Sequence, residues 1–442
     1  MTRHLRILAA VLAALLALAA CGAALAEDHP EGYHPEGYQL TQMVVLSRHN
    51  IRAPLSNSGS AVAELTPHTW TNWTANDSEL TLKGGVNETV MGQYFRKWLE
   101  SEGLIPENYQ PEEDEVFFYA NARQRTIATA RYFASGMLPI GNVEIEYEGE
   151  IGDTDPNFKP VLTFVNDAYI DAVEKQLREQ LQDGGALQAA LTEDFALLAD
   201  TIDYEQSNGF KSGTYTAWTT DDIGLKLEED KEASVTGSLK TAMAASDALV
   251  LQYYEMDDAT EAAFGHELTA EQWEKIADVN TIHQMLRYSA PILGVNGGHP
   301  MLELILDELQ NEDRKFTFLC GHDSNVATVL GALDASDYHL PETIETRTPI
   351  GCKLVFEKWQ DQNGEALARV RLIYPTTEQL RSSAPLSLEN PPMAFDIDLP
   401  GLERNADGFY RLEDVEDSLQ KAIDAYETLI ETYGDAAVAP AA

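Results

Sequence analysis

Apolar residues along this chain alternate between short continuous blocks and stripes at helical spacing. The blocks Met43-Val44-Val45-Leu46, Val116-Phe117-Phe118-Tyr119-Ala120, Phe316-Thr317-Phe318-Leu319-Cys320, Lys353 to Phe356 and Leu367 to Tyr374 predict strands. Between them, Val86, Val90, Met91, Tyr94, Phe95, Trp98 and Leu99 recur at helical spacing after Gly84-Gly85. Further helices are predicted from about Gln124 through Phe133 and from Ser324 to Leu333. A final one carries Leu412, Val415, Leu419, Ile423, Tyr426 and Ile430 on one face. Strands that alternate with helices predict an α/β fold: a central mixed, mostly parallel sheet flanked by helices.

The stretch from about Asn157 to Val279 shows no clear strand but does show helical periodicity, as at Ile170, Val173, Leu177 and Leu181. It is read as an inserted, smaller all-α domain over 157–279, which divides the α/β part into 40–156 and 280–442. Gly209-Phe210-Lys211-Ser212-Gly213 is expected to be a loop.

The first 26 residues differ from the rest. Arg3, His4 and Arg6 precede an apolar stretch from Ile7 to Ala20, too short for a membrane span and in the pattern of an export signal. Two processing patterns overlap there: the small-residue site Ala24-Leu25-Ala26, and Leu18-Ala19-Ala20-Cys21, a lipobox whose cysteine would be lipidated. Residues 27–39 hold the tandem His29-Pro30-Glu31-Gly32-Tyr33 and His34-Pro35-Glu36-Gly37-Tyr38, a duplicated spacer whose Pro and Gly suit a linker better than a metal site. The expected location is therefore extracytoplasmic: periplasmic, secreted or lipid-anchored, with the membrane touched only through Cys21. The formal charge of −43 comes from 73 acidic and 30 basic residues, and with no Lys/Arg block to offset it nucleic acid is excluded as a partner. Cys320 and Cys352, beside two predicted strands, form a candidate disulfide in an oxidising compartment.

Three segments share one grammar, a buried strand that runs into a short turn holding His or Arg: Arg48-His49-Asn50-Ile51-Arg52-Ala53-Pro54, Gln124-Arg125-Thr126 and Gly321-His322-Asp323. Ligands of open α/β sheets bind beyond the carboxyl ends of strands, so these turns are expected to converge. Together they hold the parts that cleavage of a phosphomonoester requires. His49 is the candidate nucleophile, and Arg48, Arg52 and Arg125 suit the phosphate oxygens because a guanidinium fork bonds two at once. His322 adds a further phosphate contact, and Asp323 is the candidate general acid.

These residues resemble the histidine acid phosphatases, whose R-H-x-x-R-x-P signature matches Arg48-His49-Asn50-Ile51-Arg52-Ala53-Pro54 and whose later His-Asp pair matches His322-Asp323. The resemblance extends over most of 40–435 and includes Arg125-Thr126, Asp155-Pro156-Asn157-Phe158, Leu251-Gln252-Tyr253-Tyr254 and Thr348-Pro349-Ile350-Gly351. It implies a phosphoglycerate mutase-like fold, catalysis by His49 and Asp323, a phosphate pocket of Arg48, Arg52, Arg125 and His322, and no metal or other cofactor. Asn50, Ser324 and Asp407-Gly408-Phe409 resemble the glucose-1-phosphatase branch more than the phytases.

The expected function is thus an exported acid phosphomonoesterase that takes small-molecule sugar phosphates through a phosphohistidine. A phytase of the same mechanism is the alternative. A lipoprotein that binds sugar phosphates without turnover is opposed by the retention of both His49 and Asp323. A phosphoryl-transferring mutase is opposed by the export signal. Trp70 and Trp73 are read as packing residues rather than a sugar-stacking wall. His68, His266, His283, His299 and His339 lack metal-ligand spacing, and no Walker-type or dinucleotide glycine motif is present.

Overall fold

The computed structural model describes residues 37–55, 61–180 and 184–434. The expected export signal, Cys21, residues 27–36 of the linker and Leu181 lie outside the described residues. One sheet is built from β1 (Gln39–Arg48), β2 (Val116–Ala120), β5 (Phe316–Gly321), β6 (Lys353–Gln360), β7 (Ala366–Tyr374) and β8 (Met393–Asp396), with β9 (Tyr410–Arg411) on β7. The strands lie in the order β2-β5-β1-β6-β7-β8. β2, β5 and β1 run parallel, and β6, β7, β8 and β9 add antiparallel pairs.

Both faces of β1 are covered, which is why its sequence is a continuous apolar run rather than an alternating one. Met43 and Val45 face a layer made by α1 (Leu82–Ser101) and α2 (Gln124–Met137), with Phe95, Trp98, Ile127 and Phe133 among their neighbours. Val44 and Leu46 face the other layer. Helices α7 (Pro291–Gln310), α8 (Asp323–Ala332) and α9 (Leu412–Tyr433) build it through Leu302, Ile305, Val329, Val415 and Leu419. α1 begins earlier than Val86, because Thr81 caps it by accepting from Gly84 N. Val86 points to solvent.

Between these layers in sequence lie α3 (Asp167–Gln180), α4 (Gly184–Thr201), α5 (Ser238–Glu255) and α6 (Ala270–Tyr288). α4, α5 and α6 share a core of Phe195, Leu198, Leu249, Trp273 and Ile276, joined by Ile51 and Ile350 from the site loops. The expectation of no strand here is corrected by a hairpin, β3 (Gly224–Lys226) and β4 (Ser234–Thr236). Strands of three residues are too short to leave a readable period. The expected loop at 209–213 is likewise corrected: Asn208–Lys211 is a helical turn, because Ser207 caps it by accepting from Phe210 N.

The expected Cys320–Cys352 disulfide is also corrected, since both thiols are free and buried. Cys320 pairs with Ser47 on one side of β1, and the Cys352 carbonyl accepts from Arg48 N on the other. Two strand spacings, roughly 9.5 Å, therefore separate them, beyond the ~7 Å Cα reach of a disulfide. They also point into opposite layers. Among the described residues no helix is long and apolar enough to cross a membrane.

Candidate active site

Because β2, β5 and β1 are adjacent and parallel, their carboxyl ends meet at one edge. Arg48 is level with Gly321, and Ala120 with Cys320. The chain leaving β1 supplies His49 and Arg52, the turn after β2 supplies Arg125 in the first turn of α2, and the turn after β5 supplies His322 and Asp323 at the start of α8. His49 N donates to Gly321 O at 3.0 Å, which ties the first turn to the third. All six predicted residues come together here.

His49 is buried, and its ring meets that of His322 edge-on with centroids 5.5 Å apart. Its Nδ1 lies 2.8 Å from the Asn50 carbonyl oxygen. A carbonyl can only accept, so Nδ1 carries the hydrogen and Nε2 keeps its lone pair. Burial, followed by the charges of Arg125, His322, Arg52 and Arg48, holds the imidazole pKa well below its usual value. The ring is therefore neutral.

Arg48 donates to Glu345 Oε1 at 2.7 Å and to the Thr348 carbonyl, and its Nη2 lies 3.6 Å from Asp323 Oδ2. Burial opposes the charge on Arg48, but Glu345 and Asp323 outweigh it and raise its pKa further. Arg52 donates to both oxygens of Asp247 on α5. Arg125 is pulled down to about 9 by burial and by the neighbouring Arg52, and its Nη2 sits 3.4 Å from His322 Nδ1. Asn121, just beyond β2, has its amide 2.6 Å from His322 Nε2. Asp323 accepts from Gln284 Nε2 at 2.6 Å and from Ser324 N at 2.8 Å. Burial favours its neutral form, yet Arg48, His322 and Arg52 prevail and hold its carboxyl below the usual range.

The loop after β1 is held from beneath. Asn50 donates to Glu88 Oε2 at 2.8 Å, and Glu88 forms a solvent-free ion pair with Lys353, also 2.8 Å. Two glycines are required for this approach. A Cβ on Gly84 would lie 2.3 Å from Ile51 O, and Gly351, at φ +73°, has Asn50 Nδ2 where a side chain would begin.

Asp247, Gln284, Glu345, Asn121 and the Glu88–Lys353 pair escape sequence reasoning. Asp247 left a faint signal as a lone acid in the apolar stretch Ala245-Ser246-Asp247-Ala248-Leu249. Asp407-Gly408-Phe409 lies elsewhere: Asp407 accepts from Tyr38 OH at 2.6 Å and Phe409 stacks on Tyr38, bracing the start of β1. Trp70 packs edge-on against Phe264. Among the described residues no group of three or more His, Cys, Asp or Glu is arranged to hold a metal ion.

Three cations, two imidazoles and a carboxyl are thus gathered at the carboxyl ends of β1, β2 and β5. Residues 39–375 match the histidine phosphatase superfamily (branch 2). The chain belongs to that superfamily. Histidine phosphatases similar to it include the glucose-1-phosphatase of Salmonella typhimurium, 36% identical over 92% of this chain and 98% of the relative. The glucose-1-phosphatase of Providencia rettgeri is 36% identical over 87% of this chain and 92% of its own. An Escherichia coli phytase is 28% identical over 88% and 92%. Among solved histidine phosphatases, the apo phytase of Hafnia alvei superposes with a TM-score of 0.79 at 26% identity, covering 89% of this chain and 99% of that one. The chain is accordingly a phosphatase.

Proposed function

We propose that this protein is an exported acid phosphomonoesterase that hydrolyses sugar phosphates, glucose 1-phosphate foremost, through a phosphohistidine at His49. The observation that carries the mechanism is the bond between His49 Nδ1 and the Asn50 carbonyl, which leaves Nε2 unprotonated. Arg48, Arg52, Arg125 and His322 hold the phosphate oxygens, and Nε2 attacks phosphorus in line with the sugar oxygen. As the N–P bond forms and the P–O bond breaks, Asp323 gives its proton to the departing alkoxide. Water then attacks the phosphohistidine and returns a proton to Asp323. The N–P bond breaks and inorganic phosphate leaves.

Glu345 offsets part of the charge of Arg48, as Asp247 does for Arg52, so the dianion draws on cations that are each partly compensated. The sugar-phosphate reading is supported by 36% identity to two glucose-1-phosphatases over most of both chains. The phytase reading is second, supported by the Escherichia coli phytase at 28%. Export is supported by the charged and apolar pattern of residues 3–20.

The test is turnover of glucose 1-phosphate and phytate by the parent and by His49→Ala, with ³²P-labelled substrate quenched in base to trap a phosphorylated imidazole. A labelled His49 and a higher kcat/KM for glucose 1-phosphate are expected. Retained hydrolysis in His49→Ala would end the mechanism, and a preference for phytate would reverse the substrate order.

A further inference from the structure

Gln284, on α6, reaches the candidate acid with a side chain that carries no charge. It is 8% exposed, and its Nε2 donates to Asp323 Oδ2 at 2.6 Å. Its Oε1 accepts from Thr348 Oγ1 at 2.8 Å. Thr348 is itself anchored, since its carbonyl accepts from Arg48 Nη1. Arg48, Asp323, Gln284 and Thr348 therefore close a ring of polar contacts behind the reacting groups. Gln284 also lines, with Thr281, Ser289, Asp334 and Thr348, a cavity of about 550 Å³, large enough for water.

The arrangement shown satisfies only one state of Asp323. An ionised carboxylate accepts on both oxygens, and here it receives Ser324 N on one and Gln284 N–H on the other. The proposed reaction passes through the protonated state, whose hydrogen goes to the leaving oxygen rather than to Gln284, so the amide's donation weighs on the ionised side of the titration.

We propose that Gln284, oriented by Thr348, is a positioning residue for Asp323. Its amide donates to the Asp323 carboxylate, fixing where that oxygen points and favouring the ionised state. This rests on the reading of Asp323 as the proton donor. Arg48, Arg52, Arg125 and His322 face Asp323 from the substrate side. His283, Tyr288 and Cys352 are the other titratable groups whose charge Asp323 feels or alters. None of these is changed by Gln284→Leu, so a shift in titration there reports the amide.

The experiment is the pH dependence of kcat/KM for glucose 1-phosphate and for an aryl phosphate in the parent, Gln284→Leu, Gln284→Glu, Thr348→Val and Asp323→Asn. Thermal melts establish that each variant is folded. Removing a donor to the carboxylate favours the protonated form, so Gln284→Leu should move the basic limb upward by about one pH unit. Gln284→Glu should move it further, because a like charge now faces Asp323. Thr348→Val, which frees the amide from its orientation, should lower kcat several-fold with KM little changed.

Basic limbs of Gln284→Leu and Gln284→Glu that coincide with the parent's would overturn the proposal, whatever their rates. The underlying reading fails separately: Asp323→Asn would then leave the basic limb in place. Should Gln284→Leu be unfolded, Thr348→Val still decides the matter, because a kcat equal to the parent's would refute the orientation of the amide.

Discussion

Arg52 donates to both carboxylate oxygens of Asp247, at 3.0 and 3.1 Å, so a cation from the loop after β1 is gripped by α5. Asp247 is largely shielded, with a side chain 14% exposed. A bidentate pair this dry does two opposed things. It holds the guanidinium still, and it cancels part of the positive charge that would attract phosphate.

Asp247→Asn keeps the shape and one acceptor but removes the charge. The pocket becomes more positive by one unit, and inorganic phosphate should inhibit roughly tenfold more strongly, on the order of 1.4 kcal/mol through a partly screened interior. The check is the Ki for phosphate at constant ionic strength. An unchanged Ki would mean that Asp247 does not balance the pocket.

The Glu88–Lys353 pair, with both side chains 0% exposed, supports Asn50 and through it the His49 loop. Lys353→Met leaves a carboxylate buried without its counter-ion and should lower unfolding stability by about 3–5 kcal/mol. Adding Glu88→Gln to that variant should restore more than half of the loss, since the stranded charge is gone. Denaturant midpoints of the two variants decide this, and a double variant no more stable than the single would refute it.

Burial pushes the Cys352 thiol up to about 12, and Cys320 is raised by the same cause. Neither offers a thiolate near neutral pH, and their placement across β1 forbids a bond between them. In air-oxidised native protein both thiols should resist alkylation at pH 8 and both should react once the chain is unfolded. A disulfide between them in the peptide map would contradict the strand register.

The parts legible in the sequence are those whose signal is local. β1, β2 and β5 announce themselves as apolar runs because both sheet faces are covered, and the turns of the candidate site follow each run directly. What stayed hidden is contact between distant elements. Gln284, Asp247 and Glu345 reach the site from α6, α5 and the loop before β6, and each has an ordinary polar residue's spacing in its own segment. The disulfide expectation failed for the same reason. Two cysteines near two strand ends look adjacent until the strand order places β1 between them.

Asp194 on α4 and Asp278 on α6 carry carboxyls that are each pushed up to about 7. Burial is the larger cause in both, followed by Asp278 for the first and Glu274 for the second, with Lys275 and Arg347 opposing. A raised carboxyl pKa stabilises the fold fully below the unfolded value near 3.8, and that contribution is lost progressively as pH rises to about 7. The buried histidines work the other way. His283, pulled down to about 3 by burial, stabilises above pH ~6.5 and loses that contribution as pH falls. A plain stability profile therefore mixes both effects, and a difference between variants separates them. Asn copies the protonated carboxyl, so Asp194→Asn/Asp278→Asn should match the parent's stability near pH 4. At pH 8 it should exceed the parent by about 2 kcal/mol, discounted for the partial exposure of Asp278. Unfolding free energies of the two proteins at several pH values test this, and a difference that stays constant from pH 4 to 8 would show that these two carboxyls ionise freely in the folded protein.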